Sequence, residues 1–282
     1  WSFSLKRNIE NFHESSAVSS VRGLGMYGRV KSNPASAIFA RFIASFRSDN
    51  RILKSVIMLP IVIVFFIIMG AMQNSAALHI VYGYLIVWML VFLFVAPMLE
   101  YSFSYDGVAL TFHFIAGVSA KDECAGRSRF HLYILLPLAI IIACGVAIAN
   151  NAILFLPAAL GGTVAMALLC VGLALLANAR KVCRIASARN PLASGGGTSV
   201  GSNGRIFYTL GLIVLSGVPY ITVGILCILQ FVGIVPFVLN CALGAFWLIV
   251  GIGGYVLLYK AAVNSIEKRN VMILVDLRRV AE

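Results

Sequence analysis

Three long stretches of the chain contain no Asp, Glu, Lys or Arg: Ser55 to Leu99, Phe130 to Ala179 and Ile206 to Tyr259. Each is at least twice the roughly 20 apolar residues that one helical bilayer crossing needs, so each suits two crossings and a short turn. Lipid leaves an open backbone hydrogen bond without a partner, which forces helix. A β-barrel is excluded, because its strands alternate apolar and polar positions where these runs are continuously apolar. Weaker polar breaks mark the turns: Gln73, Asn74 and Ser75 in the first run, Asn150 and Asn151 in the second, and Gln230 to Pro236 in the third. The pattern predicts an all-α integral membrane protein with spans near 55–72, 81–99, 130–149, 152–177, 206–229 and 237–259. That is six helices in three hairpins.

Two amphipathic segments flank the spans. Around Pro34, Asn33 can cap a helix and the proline suits its first turn. Ile38, Phe39, Phe42, Ile43 and Phe46 then share one face at helical spacing, with Arg41, Ser45 and Arg47 beside it. This reads as an interfacial connecting helix over 34–54, following a linker at 1–33. In the loop after the second span, Asp106 can cap a short helix from Val108 to Ala116 that Gly117 terminates. Val108, Leu110, Phe112, Phe114 and Ile115 make that helix apolar on most sides although it lies between charged positions. Such a helix needs burial on more than one side, and its second side suits a groove on a cytoplasmic partner.

Composition agrees with lipid as the solvent. Of 282 residues, 61% are hydrophobic and 11% charged, against about 45–50% and 25% in soluble chains. The mean hydropathy is +0.96. The formal charge of +12 comes from 22 Lys and Arg against 10 acids. Every one of these groups lies in the N-terminal segment, in the loops after the second and fourth spans, or after Tyr259. By the positive-inside rule both termini and both charged loops are expected in the cytoplasm, with 55–259 as a multi-pass domain of the plasma membrane and 260–282 as a tail. The charge thus sets topology and does not indicate nucleic acid. The chain opens on Trp1 with no signal-peptide pattern, so it is expected to be part of something longer.

Catalytic chemistry is hard to find. No Gly-x4-Gly-Lys-Ser/Thr loop occurs, so nothing is expected to cradle a nucleotide. The Gly195-Gly196-Gly197 stretch reads as a flexible loop. Cys124 and Cys183 fall in loops and four further cysteines in spans, without Cys-x2-Cys spacing, and His13, His79, His113 and His131 are scattered. No metal or disulfide is expected. No carboxylate lies within a span, which disfavours ion-coupled transport.

The polar segments carry a resemblance. Trp1-Ser-Phe-Ser-Leu-Lys-Arg7, Gly23-Leu-Gly-Met-Tyr-Gly-Arg29, Asn33-Pro-Ala-Ser-Ala-Ile-Phe-Ala-Arg41, Arg47-Ser-Asp-Asn-Arg51 and Phe103-Ser-Tyr-Asp-Gly107 with Ala116-Gly-Val-Ser119 are the places that bear it. In these the chain resembles the permease subunit of an ATP-binding-cassette transporter of the type-2, export-class family. It is more similar to the second half of that family's tandem twelve-span permeases. Ser104 stands where that family often has Gly, and Gly117 where Pro is common. Glu123-Cys-Ala-Gly126 is too tightly spaced for the coupling motif of an importer.

The resemblance implies a transport component that is not itself an enzyme, forming part of an export pathway driven by a separate ATPase. Asp106, Gly107, Val108, Leu110, Phe112, Phe114 and Ile115 would form the ATPase-coupling helix. This chain would hold no cofactor, ATP and Mg²⁺ sitting on the ATPase. Its partners would be that ATPase, a first six-span module or second permease copy, and the bilayer. The alternative is a non-transporting membrane scaffold or assembly factor.

Overall fold

A computed structural model of the protein describes residues 33–48, 102, 103, 106, 109–149, 153–180 and 236–281, with scattered helical positions between Gly211 and Leu229. The side chains of 45–48, 109, 142, 146, 149 and 276–281 are outside that description. So are residues 1–32 of the predicted linker, the spans at 55–72 and 81–99, and the Gly-rich loop. Every described element is helical.

Helix α1 runs Pro34–Ser48. Asn33 starts it, its Oδ1 accepting the Ser36 N–H at 2.7 Å and so satisfying one of the helix's orphan donors. The short α2 spans Ala109–Ile115 and ends in a Schellman turn. The Val118 N–H donates to the His113 carbonyl at 3.0 Å and the Gly117 N–H to that of Phe114 at 3.1 Å. Gly117 takes φ 73° there, a conformation in which a Cβ would be strained.

Helix α3 covers Ala120–Ala149 and so begins ten residues before the span predicted at 130. The charged residues 121–129 are helical as well. Ser119 accounts for this, its Oγ accepting the Asp122 N–H at 3.1 Å while donating to the Asp122 carboxylate at 2.7 Å. Asp122 and Glu123 in the first turn add a favourable interaction with the helix dipole. A 3₁₀ turn at Ile153–Phe155 leads into α4, Leu156–Arg180. The last helix, α5, runs Phe237–Ala281. Residues 260–281 of the predicted tail are thus helical and continuous with the apolar part of α5.

Helices α3, α4 and α5 are each long and apolar enough to cross a membrane. At 1.5 Å per residue α5 is about 67 Å long, well over twice the ~30 Å hydrocarbon core of a bilayer. Its polar half keeps an inner seam of Ala262, Ile266 and Ile273, all buried with the main core. Tyr259 Oη donates to the Lys121 carbonyl at 2.9 Å, Tyr255 bonds Ser128, and Arg269 donates to the carbonyl of Arg180. One end of the bundle thus gathers the charged residues among those described.

Helices α4 and α5 pack through small residues. A Cβ on Gly161 would sit 2.2 Å from the Gly244 carbonyl oxygen, and one on Gly251 2.5 Å from Ala165 Cα. Van der Waals packing at this closeness is what holds helices together when lipid removes the hydrophobic drive. The contacts advance together, 157 and 161 with 244, 165 with 251, 169 with 254 and 172 with 258. The two helices are therefore parallel, while α3 is antiparallel to both. Arg180 then lies at the charged end and Phe237 at the far end, so the intervening chain finishes opposite to where it starts. Gly211 lies beside Leu173, and Thr222 accepts the Trp247 indole N–H at 2.9 Å, so the described residues between them progress away from the charged end.

Replacing Gly161 by Leu should lower stability by about 1–3 kcal/mol through overpacking, whereas Gly253→Ala, which enters open space, should be neutral. Thermal unfolding in detergent measures both; equal midpoints for the two variants would contradict the packing described.

Candidate functional site

At the charged end, the start of α3, the turn at 102–106, and helices α1 and α2 converge on one side chain, Arg127. It is fully buried, with 0% exposure. A guanidinium carries five N–H donors and no acceptor, so burial demands a partner for each donor. Four oxygen atoms meet all five. Nε and Nη2 reach Oε1 of Glu123, Nη2 also reaches Oδ2 of Asp106, and Nη1 reaches both the carbonyl and hydroxyl oxygens of Ser102. The Phe103 ring stacks 4.1 Å from the guanidinium carbon, and Phe42 of α1 lies 5.0 Å away on another side.

The second carboxylate oxygens lead outward. Oδ1 of Asp106 pairs with Nη2 of Arg41 at 2.7 Å, and Oε2 of Glu123 meets Nδ1 of His113 at 2.9 Å. Nη1 of Arg41 completes the ring by facing Nε2 of His113 at 3.1 Å. Arginine can only donate, so Nε2 accepts and the His113 proton sits on Nδ1, where it is donated to Glu123. Two guanidiniums and two carboxylates balance in charge. Burial works to raise the Glu123 carboxyl, but Arg127 and the bond from His113 outweigh it and hold the group down at about 2. Burial likewise works against the charge of Arg127, and Asp106 and Glu123 reverse this, raising its pKa further. The Cys124 thiol beside them is pushed up to about 12, mainly by burial, and is no nucleophile at neutral pH.

Apolar packing holds α1 in place. Ile38, Phe42 and Ile43 are buried against Phe130, with Phe39, Val118 and Ile134 alongside. Phe42 stacks on Phe130 at 5.2 Å and Phe39 meets Tyr133 edge-on at 5.8 Å. Gly126 permits this approach, since a Cβ there would lie 2.7 Å from Ala35 O and Ile38 Cβ. The apolar face predicted to rest on the membrane surface is thus covered by α3. The side chain of Phe46 lies outside the described residues.

Helix α2 divides its apolar residues. Leu110 is fully buried and Phe114 packs against the main core, while Phe112 and Ile115 are 68% and 76% exposed. Gly107 and Val108 lie outside the described residues. Asp106, read from the sequence as a cap for this helix, has each carboxylate oxygen facing a guanidinium. The sequence reading does not bring Arg41, Ser102, His113, Glu123 and Arg127 together in a site. Glu123 and Arg127 do stand at the i,i+4 spacing of a helical ion pair, a signal that becomes readable once Ser119 is taken as a cap. Among the described residues no group of His, Cys, Asp or Glu could hold a metal ion.

No protein-family model, curated protein or solved structure matches the chain.

Arg127→Met should cost about 3–5 kcal/mol, because it strands two buried carboxylates. The Glu123 carboxylate, held below its ordinary 4.5, stabilises the fold above that pH, and its contribution fades as the pH falls toward 2. Unfolding midpoints of wild type and Glu123→Gln should therefore differ at pH 7 and converge between pH 4.5 and 2. A constant gap across that window would show that Glu123 is not held as an ion.

Proposed function

We propose that the chain is the permease module of an ATP-binding-cassette exporter, driven by a separate cytoplasmic ATPase that docks on α2. The observation that carries this reading is the exposed pair Phe112 and Ile115. They stand at the end of the bundle that holds the described charged residues, with exposed Ala116, Gly117, Ser119 and Lys121 following them in the chain. Their helix is anchored from beneath by Leu110, His113 and Phe114. An apolar pair on an anchored helix in a polar surrounding suits a groove on another protein.

The six-crossing arrangement with both termini inside is part of the same proposal. It is supported by the parallel course of α4 and α5, which requires the chain to return between them, and by the collection of Lys and Arg at one end. The resemblance of the polar segments to export-class permeases supports the direction of transport and a partner supplying six further spans. Without intramembrane carboxylates the pathway suits an apolar cargo, a lipid, drug or hydrophobic peptide.

Purification from native membranes in mild detergent should bring down a protein carrying a Gly-x4-Gly-Lys-Ser/Thr loop. Phe112→Glu or Ile115→Glu should reduce that recovery about tenfold or more, the loss of one or more interface anchors, with the permease itself still folded. Absence of such an ATPase from the wild type, or its retention in both variants, would refute the reading and favour a scaffold.

A further inference from the structure

Helices α1 and α2 lie more than sixty residues apart in the chain and meet at one polar contact whose geometry exceeds what a surface ion pair requires. The apolar contacts of α1 run to α3, through Phe42 on Phe130 and Phe39 on Tyr133. Its polar link to the α2 region is Arg41, gripped from two directions. The carboxylate of Asp106, just before α2, lies 2.7 Å from Nη2 as an ion pair, and His113, within α2, accepts from Nη1 at 3.1 Å. Each gripping group is itself fixed from behind, Asp106 by Arg127 and His113 by Glu123. The guanidinium also lies 5.2 Å from the centroid of Phe42 on its own helix.

A single ion pair lets two helices slide and roll, because a long side chain wags at little cost. Two contacts at different points of the α2 region, made by one planar group, resist rotation of α2 about its axis as well as separation from α1. We propose that Arg41 is a positioning residue that joins α1 and α2 into one rigid lever, so that force on the exposed face of α2 reaches α1 as well as α3. Its place in transport rests on α2 being the docking helix; the rigidity itself does not. Arg41 does not contact the docking partner through Phe112 or Ile115. It sets the angle at which they are presented and passes their motion on.

The lever predicts that opening of α1 and opening of α2 are one event, which hydrogen exchange reads peptide by peptide. The full chain in lipid nanodiscs serves, with no ATPase present. Arg41→Met keeps the stem on Phe42 and removes both grips. It should speed exchange about tenfold or more in peptides covering both 34–44 and 109–116, while 156–180 stays unchanged. Asp106→Asn should accelerate the same two peptides, and the double variant should exchange within about twofold of Asp106→Asn alone, as expected for residues acting through one contact. Arg41→Lys, which retains charge but cannot keep both the ion pair and the bond to His113, should fall between wild type and Arg41→Met and keeps the test open should the methionine variant fail to fold. Acceleration confined to 34–44, multiplying effects in the double variant, or a lysine variant identical to wild type would each overturn the lever. Because no ATPase is in the sample, failure of the docking reading leaves these outcomes unaffected, and failure of the lever leaves docking standing.

Discussion

A guanidinium with no exposure to water must be neutralised and hydrogen-bonded where it lies, and Arg127 imposes that condition on everything around it. Meeting it takes the backbone turn at Ser102, a carboxylate from the loop, a carboxylate one turn back on α3, and two aromatic faces. Those groups come from separate parts of the chain. Removing either carboxylate leaves a buried charge unbalanced, which costs more than the intact cluster contributes, so the arrangement gives specificity more than net stability. It is a constraint on position. Helices α1 and α2 stand where they do because the charges leave them no other place.

The constraint explains how a seven-residue helix can be mechanically useful. An isolated helix of that length is unstable in water, since nucleation is unfavourable and few bonds follow. Helix α2 is stabilised from outside itself, by Leu110 and Phe114 in the core, by His113 in the polar ring, and by the Schellman turn at Gly117. With these fixed, Phe112 and Ile115 project outward on a base that does not yield. The base continues into α3, and through Tyr255, Tyr259 and the seam of Ala262 and Ile266 into α5. Two membrane-length helices therefore begin or end in the same rigid block. Closure of a partner against α2 would move that block as a body, the kind of motion that packed cores transmit without deforming.

How much of this was legible depended on the range of the signal. Apolar runs bounded by charge are local, and they placed α3, α4 and the membrane part of α5 where helices are found. The exit of α5 into a long polar helix was less legible, since Lys260 marks the end of the charge-free run and not the end of the helix. The true start of α3 was hidden by the charges of 121–129, although Ser119 with Asp122 three residues on is a readable cap. Arg127 was counted there as a topological charge, which is the usual fate of a loop arginine. Its burial follows from Phe42 and Phe103, residues far from it in sequence, and nothing local announces them. Arg41 meeting His113 across 72 residues is beyond any periodicity. The pair exposed on α2 was half legible: the helix was too apolar for its setting, but only packing decided that Leu110 turns inward and Phe112 and Ile115 turn outward.

A photo-crosslinking amino acid at position 115, in cells of the native source, tests directly whether this apolar pair faces a nucleotide-hydrolysing partner. The proposal predicts an adduct whose peptides include a Gly-x4-Gly-Lys-Ser/Thr loop. The same probe at the exposed position Ile141 of α3, within the membrane span, should give none. An adduct to lipid alone at position 115, or to a protein lacking that loop, would contradict it.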